Sequence, residues 1–409
     1  MKKVVLIGLL VLSFLLASWP LPTTATAQGP VELEGTLHGA PYKIRVPANW
    51  NGTLLVFAHG YTRRLEAAPG GTPVENALLA RGYALAGSAY LTDGWAVKEG
   101  IADTLALVSF FKGRIGEPQY TILWGTSMGS VVAFKSIEDY PNVYDGVIPG
   151  CGLGAGTPRN FDLTGAIALA YDVTFGWPSA WGAPEDVRDD LNFQRDVVPV
   201  LLAQVRDRAN FGRFEFIRLV LGGPAEDFYT GSNWLFQDFF FVTEARAELE
   251  RRAGGPVVQN LDHVYRLTPQ EKAYLAALGV DADSLLAQMN ARRNFNPPPK
   301  ARRYLENYAE YTGQITRPVL TLHTRIDGLV LPANMSAYRE TVRQAGREEN
   351  LLQVYTDSVG HCTFTVAQLV AVAEAMDSWV RTGMRPSASA FPEALGFLPN
   401  FVPPPWPQP

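Results

Sequence analysis

Residues 120–140 read YTILW GTSMG SVVAFKSIEDY, and the central five, Gly125-Thr126-Ser127-Met128-Gly129, decide the fold. They form a G-x-S-x-G pattern, in which a serine sits on a tight, strained turn between a buried strand and a helix. The two glycines allow strand and helix to approach without a Cβ clash. The pattern alone arises by chance in roughly one chain in ten of this length, so its flanks must carry the argument. Here YTILW is an apolar run suited to a strand buried on both faces. The segment at 130–140 has helical character and stops at Pro141, where a helix is expected to end. Ser127 is therefore the expected nucleophile.

A serine hydroxyl attacks a carbonyl only when a base takes its proton, and the base needs an orienting acid. Of five histidines, His361 in Ser358-Val359-Gly360-His361-Cys362 lies beyond the last expected strand and before the final helix. His38 falls in an opening hairpin, His263 in a helical region, and His323 inside an apolar strand, where a packed or supporting role is expected. The acid is assigned to Asp327, in the turn HTRIDG directly after that strand. Asp357 is the rival, only four residues before His361, where it supports an imidazole less well than a separate loop. The chain order is then Ser, Asp, His. An oxyanion needs two backbone N–H donors. Met128, directly after the serine, and Tyr61, after His59-Gly60 at the end of the TLLVFA run, are the expected pair.

Outward from the elbow, the apolar runs at 53–58, 83–90, 120–124 and 144–149 read as strands, after an opening hairpin at 31–46 turning at Gly39-Ala40. Amphipathic helices are expected at 99–115, 130–140 and 366–381, and further strands at 319–323 and 351–355. Such alternation predicts an α/β fold with a mostly parallel sheet flanked by helices. The rhythm changes at 157–313, an aromatic-rich and mostly helical stretch, with 262–291 as one helical pattern. This stretch is expected to be a helical cap inserted into a core of residues 28–156 and 314–386. The glycine-rich run at 150–156 lacks the lysine of a phosphate loop and reads as a flexible entry to the cap. Individually the cap aromatics are expected in its core, though together they suggest that some face an apolar site. The Pro-rich segment 387–409 is expected to be an extended arm or a disordered tail.

The VFAHG strand end, the GTSMG elbow, the late DG loop and the GHC turn together resemble the α/β-hydrolase superfamily. That resemblance implies the fold, the nucleophile and a cap roofing an acyl pocket. A looser likeness links the chain to secreted feruloyl-esterase and tannase-like enzymes, which carry a cysteine right after the catalytic histidine, as His361-Cys362 does. In that group the partner cysteine precedes the nucleophile, a position held here by Thr126. Cys151, at the end of the strand after the elbow helix, lies between the serine and histidine loops in a typical sheet of this kind. A Cys151–Cys362 disulfide tethering the histidine loop is therefore expected, with two buried thiols as the alternative.

Composition sets the remaining bounds. With 409 residues, 47% hydrophobic and 18% charged, the chain can bury a large core, and a net charge of -5 gives no reason to expect nucleic acid as partner. Lys2 and Lys3, the apolar run at 4–17 and Ala25-Thr26-Ala27 form a secretory signal pattern over residues 1–27, with a mature start near Gln28 and no lasting membrane anchor. No motif for a metal or nucleotide cofactor is present. The expected activity is hydrolysis of a carboxylic ester, small or polymeric, by a Ser-His-Asp triad. A peptidase of the same fold is the first alternative, with cap acids such as Glu185 or Asp227 available to hold an ammonium. A non-catalytic binding protein is the second, and an apparently intact triad argues against it.

Overall fold

The computed structural model describes residues 29–226 and 234–407, so the signal pattern at 1–27 lies outside the described residues. Its strands are β1 (Val31–Leu37), β2 (Ala40–Val46), β3 (Thr53–Ala58), β4 (Ala84–Ser88), β5 (Tyr120–Thr126), β6 (Gly146–Gly150), β7 (Val319–Ile326) and β8 (Leu351–Val359). They form one sheet in the order β1-β2-β4-β3-β5-β6-β7-β8. β2 runs antiparallel to both β1 and β4, and all the other pairings are parallel.

The core helices before the insertion are α1 (Pro73–Ala80), α2 (Val97–Arg114) and α3 (Met128–Asp139). Between β6 and β7 the described residues add no strand to the sheet. They form α4 (Gly156–Phe175), α5 (Val198–Arg206), α6 (Phe211–Leu221), α7 (Trp234–Val242), α8 (Glu244–Ala253), α9 (Pro269–Ala277), α10 (Ala282–Ala291) and α11 (Pro299–Ala309). The core then resumes with α12 (Ala333–Gln344) and α13 (Val366–Thr382). No helix among the described residues is long and apolar enough to cross a membrane.

Side chains alternate across a strand, and TLLVFA shows the result. Leu54, Val56 and Ala58 enter the apolar cluster under α2 and α3, while Leu55 enters the one under α1 and α13. Both faces are covered, which is why the strand is a continuous apolar run. The first cluster continues without a break into the insertion, where Trp181, Phe216 and Phe239 are fully buried. The insertion thus shares a core with the sheet, and most of its aromatics serve that core.

Several elements depart from the sequence reading. The hairpin turns at His38-Gly39, both at positive φ, one residue earlier than expected. The pattern at 262–291 divides into α9 and α10, because Gly279 adopts φ 76° and the Asp281 carboxylate caps the new helix at the Ser284 amide. Helices α1 and α12 were not anticipated, although Thr72 and Glu75 form a capping box that marks the start of α1. The glycine-rich run at 150–156 is buried throughout rather than a loose entry. A Cβ on Gly154 would lie 2.5 Å from the Asn334 carbonyl oxygen, so these glycines serve close packing.

The C-terminal segment is an ordered arm. It bonds along the open edge of β8, with the Asp357 N–H donating to Gly396 O (2.9 Å) and the Leu398 N–H to Tyr355 O (2.9 Å). Phe391 and Phe397 are buried beneath it, and Trp406 lies under the Arg159 guanidinium. Covering an edge strand removes a template for unwanted pairing. Phe397→Ala is expected to lower the urea unfolding free energy by about 3 kcal/mol through the cavity it leaves, and a change under about 1 kcal/mol would show that the arm does not anchor there.

Candidate functional site

Ser127 stands between the last residue of β5 and the first of α3 with φ 54° and ψ -128°, a conformation that L side chains rarely adopt. The backbone is held in it from both sides, since the Ser127 N–H donates to Gly150 O (3.0 Å) and its carbonyl accepts from the Ser130 N–H (2.8 Å). The flanking glycines are required by space. A Cβ on Gly125 would lie 2.0 Å from Gly129 O, and one on Gly129 would lie 2.1 Å from Ala58 O. The hydroxyl is thereby lifted above the ends of the parallel strands.

The three residues expected from sequence as nucleophile, base and acid meet in one hydrogen-bonded chain. His361 Nδ1 lies 2.8 Å from Asp327 Oδ2, and His361 Nε2 lies 2.8 Å from Ser127 Oγ. A carboxylate can only accept, so Nδ1 carries the ring proton and Nε2 accepts from the serine hydroxyl. Asp327 is fully buried, and its Oδ1 accepts from the Leu329 (3.0 Å) and Val330 (2.9 Å) amides. Burial raises its pKa, but the facing His361 ring and these donors outweigh that and hold it below the usual carboxylate range. The rival Asp357 is exposed on β8, where the C-terminal arm covers its amide.

The other histidines take other places. His323 is buried in β7 with Nδ1 on its neighbour's carbonyl, Thr324 O (3.0 Å), and desolvation lowers its pKa. His59 stacks on Tyr90 at 3.8 Å, and burial lowers it too. His38 occupies the hairpin turn and His263 the coil before α9.

A disulfide joins Cys151, at the end of β6, to Cys362. It tethers the turn that carries His361. Among the described residues Cys151, His361 and Cys362 are the one set of metal-ligating side chains close enough to share an ion, and both sulfurs are engaged in that bond. Met128 is the first residue of α3, where an amide has no intrahelical acceptor. Tyr61 follows Gly60, whose Cβ, if added, would lie 3.1 Å from Ser127 Cβ. Both expected oxyanion donors thus belong to backbone adjoining the serine.

Above Ser127 lies a mainly apolar cavity, lined among others by Trp95, Phe161, Ile167, Asp238, Phe241 and Val330. Trp95 meets Phe161 edge to face at 4.9 Å. The insertion supplies most of this lining through α4, α6 and α7. Glu185 does not line the cavity, and Asp227 falls outside the described residues. The acid that does line it, Asp238, was missed in the sequence. Its signal was there, as the sole ionisable residue of the α7 run WLFQDFFFV.

Two measurements check this geometry. Thiol titration of the unreduced, denatured protein should find no free thiol, and two after reduction; two at the outset would overturn the disulfide. His59 and His323 sit below 6.5 in the folded state. Below pH 6.5 the unfolded chain therefore binds more protons than the native one, and stability falls with acidification. His323→Gln is expected to make the slope of unfolding free energy against pH shallower down to about pH 5, and an unchanged slope would exclude that histidine.

Comparison with known proteins adds to this picture. Residues 36–157 match the model of a tannase-like family of unknown function (DUF6351). The chain is 25% identical over 411 residues to an o-phthalyl amidase of Xanthobacter agilis, covering 85% of this chain and 87% of that one. Similar solved structures include the rice cell wall degrading esterase LipA of Xanthomonas oryzae (TM-score 0.41, 12% identity, 83% of this chain and 84% of that one). Another is feruloyl esterase B of Aspergillus oryzae (TM-score 0.41, 15% identity, 87% and 81%). Its own strand order, the parallel strands after β2 and the strained serine turn after β5 give this chain the α/β-hydrolase fold.

Proposed function

We propose that this chain is a secreted serine hydrolase that cleaves carboxylic esters through an acyl-enzyme. The observation that carries the reading is the unbroken chain from Asp327 through His361 to Ser127 Oγ, ending in a mainly apolar cavity. His361 Nε2 takes the serine proton as Oγ attacks the ester carbonyl, and the Tyr61 and Met128 amides hold the oxyanion. The imidazolium returns its proton to the leaving alkoxide as the C–O bond breaks. Water, deprotonated by the same nitrogen, then attacks the acyl-serine, and the acid leaves as Ser127 recovers its proton. Asp327 keeps the ring in the required tautomer and stabilises its charged form. Secretion is supported by the leader pattern at 1–27 and by the disulfide. The insertion, over about 157–313, serves as the cap.

A second reading, amide hydrolysis with the same residues, is favoured by the amidase relative that spans most of the chain. p-Nitrophenyl esters and aminoacyl anilides, assayed side by side on wild type, Ser127→Ala and Asp327→Asn, separate the readings. Ester turnover should fall by about 10⁴-fold or more in each variant. Anilide turnover alone would move the assignment to an amidase, and unchanged turnover in Ser127→Ala would overturn both.

A further inference from the structure

The Ser127 cavity has one ionisable residue in its lining besides the apolar and aromatic walls, and that residue is Asp238. The other polar liners from the insertion have their donors engaged. The Thr164 hydroxyl donates to Phe161 O (2.7 Å), and the Asn160 amide donates to Gly156 O (2.8 Å) and Asn334 Oδ1 (2.9 Å). Asp238 itself is 5% exposed, so its carboxylate lies away from bulk water among Trp95, Phe161, Leu163 and Phe241. A charge in such surroundings is costly, and its effect on any group beside it is amplified by the low dielectric. Anything bound over Ser127 shares the space with that carboxylate.

Resting on the serine-hydrolase reading above, we propose that Asp238 sets substrate specificity, by receiving an ammonium or hydroxyl group carried on the acyl part. Its acceptor oxygens favour a donor, its charge favours a cation over a neutral donor, and both repel a second carboxylate. The aromatic walls meanwhile take the apolar body of the acyl group. Preference and exclusion come from the same atom group, so one substitution should remove both.

The test uses p-nitrophenyl esters of four rigid acids: 4-(aminomethyl)benzoate, 4-(hydroxymethyl)benzoate, 4-ethylbenzoate and the monoester of terephthalate. Aminomethyl and ethyl are nearly isosteric, so shape is held constant while charge changes. In wild type kcat/KM should fall in the order given, with the aminomethyl ester favoured over the ethyl ester by about tenfold. Asp238→Asn should compress that ratio to within about threefold and raise the relative rate on the terephthalate ester. The four matching benzamides, titrated calorimetrically into Ser127→Ala, should bind in the same order, which reads the site without chemistry. No discrimination in wild type, by turnover or by binding, overturns the proposal even where Asp238→Asn does not fold. A preference that survives intact in a folded Asp238→Asn overturns it as well. If Ser127→Ala abolishes turnover of all four esters while wild type does not discriminate, the hydrolase reading stands and only the role of Asp238 falls. If Ser127→Ala still hydrolyses them, the hydrolase reading itself is wrong.

Discussion

Everything in this site depends on backbone approaching backbone at a distance that a single methyl group would forbid. Gly125 and Gly129 close the turn around Ser127 and bring it against the end of β3, with about 2 Å to spare where any Cβ would stand. Gly60 leans on the serine from the neighbouring strand end. Because of that proximity, the amides after Gly60 and after Ser127 border one point in space. The left-handed φ of Ser127 is the strain accepted in exchange, and the hydrogen bond to Gly150 O holds it in place.

The remaining groups arrive by separate routes. Asp327 leaves β7 buried and is fixed by two amides of its own loop, so it presents a single oxygen to His361. His361 is brought from beyond β8 and fastened to β6 by the disulfide. The insertion adds nothing to the hydrogen-bonded chain but supplies most of the walls above it. Its core is continuous with that of the sheet, so those walls are as firmly packed as the floor.

The elbow, the strands and the three bonded residues could be read from sequence because each rests on a short local pattern in the right setting. GTSMG between YTILW and an amphipathic segment is such a pattern, and HTRIDG and SVGHC each follow a recognisable strand. What escaped was set by long-range packing. The run at 150–156 has a loop's composition, yet its glycines exist to let Asn334 and Phe134 close in, and no local rule reveals that. Asp238 lies over a hundred residues from Ser127, and only the fold places it in the same cavity. The C-terminal arm read as proline-rich and open-ended because its anchors, Phe391 and Phe397, have their partners on β8 and α13.

The bond between Cys151 and Cys362 has a topological consequence. It closes a covalent ring with a sequence separation of 211 residues that contains the whole insertion and Asp327 and His361, while Ser127 stays outside on the stem. A single proteolytic cut in any insertion loop would therefore not release a fragment. It would yield a two-chain molecule, with the nucleophile on one chain, the acid and base on the other, and one sulfur–sulfur link beside the imidazole as their yoke. For a protein meeting extracellular proteases, the ring makes a nick in the roof a scar rather than a dissection.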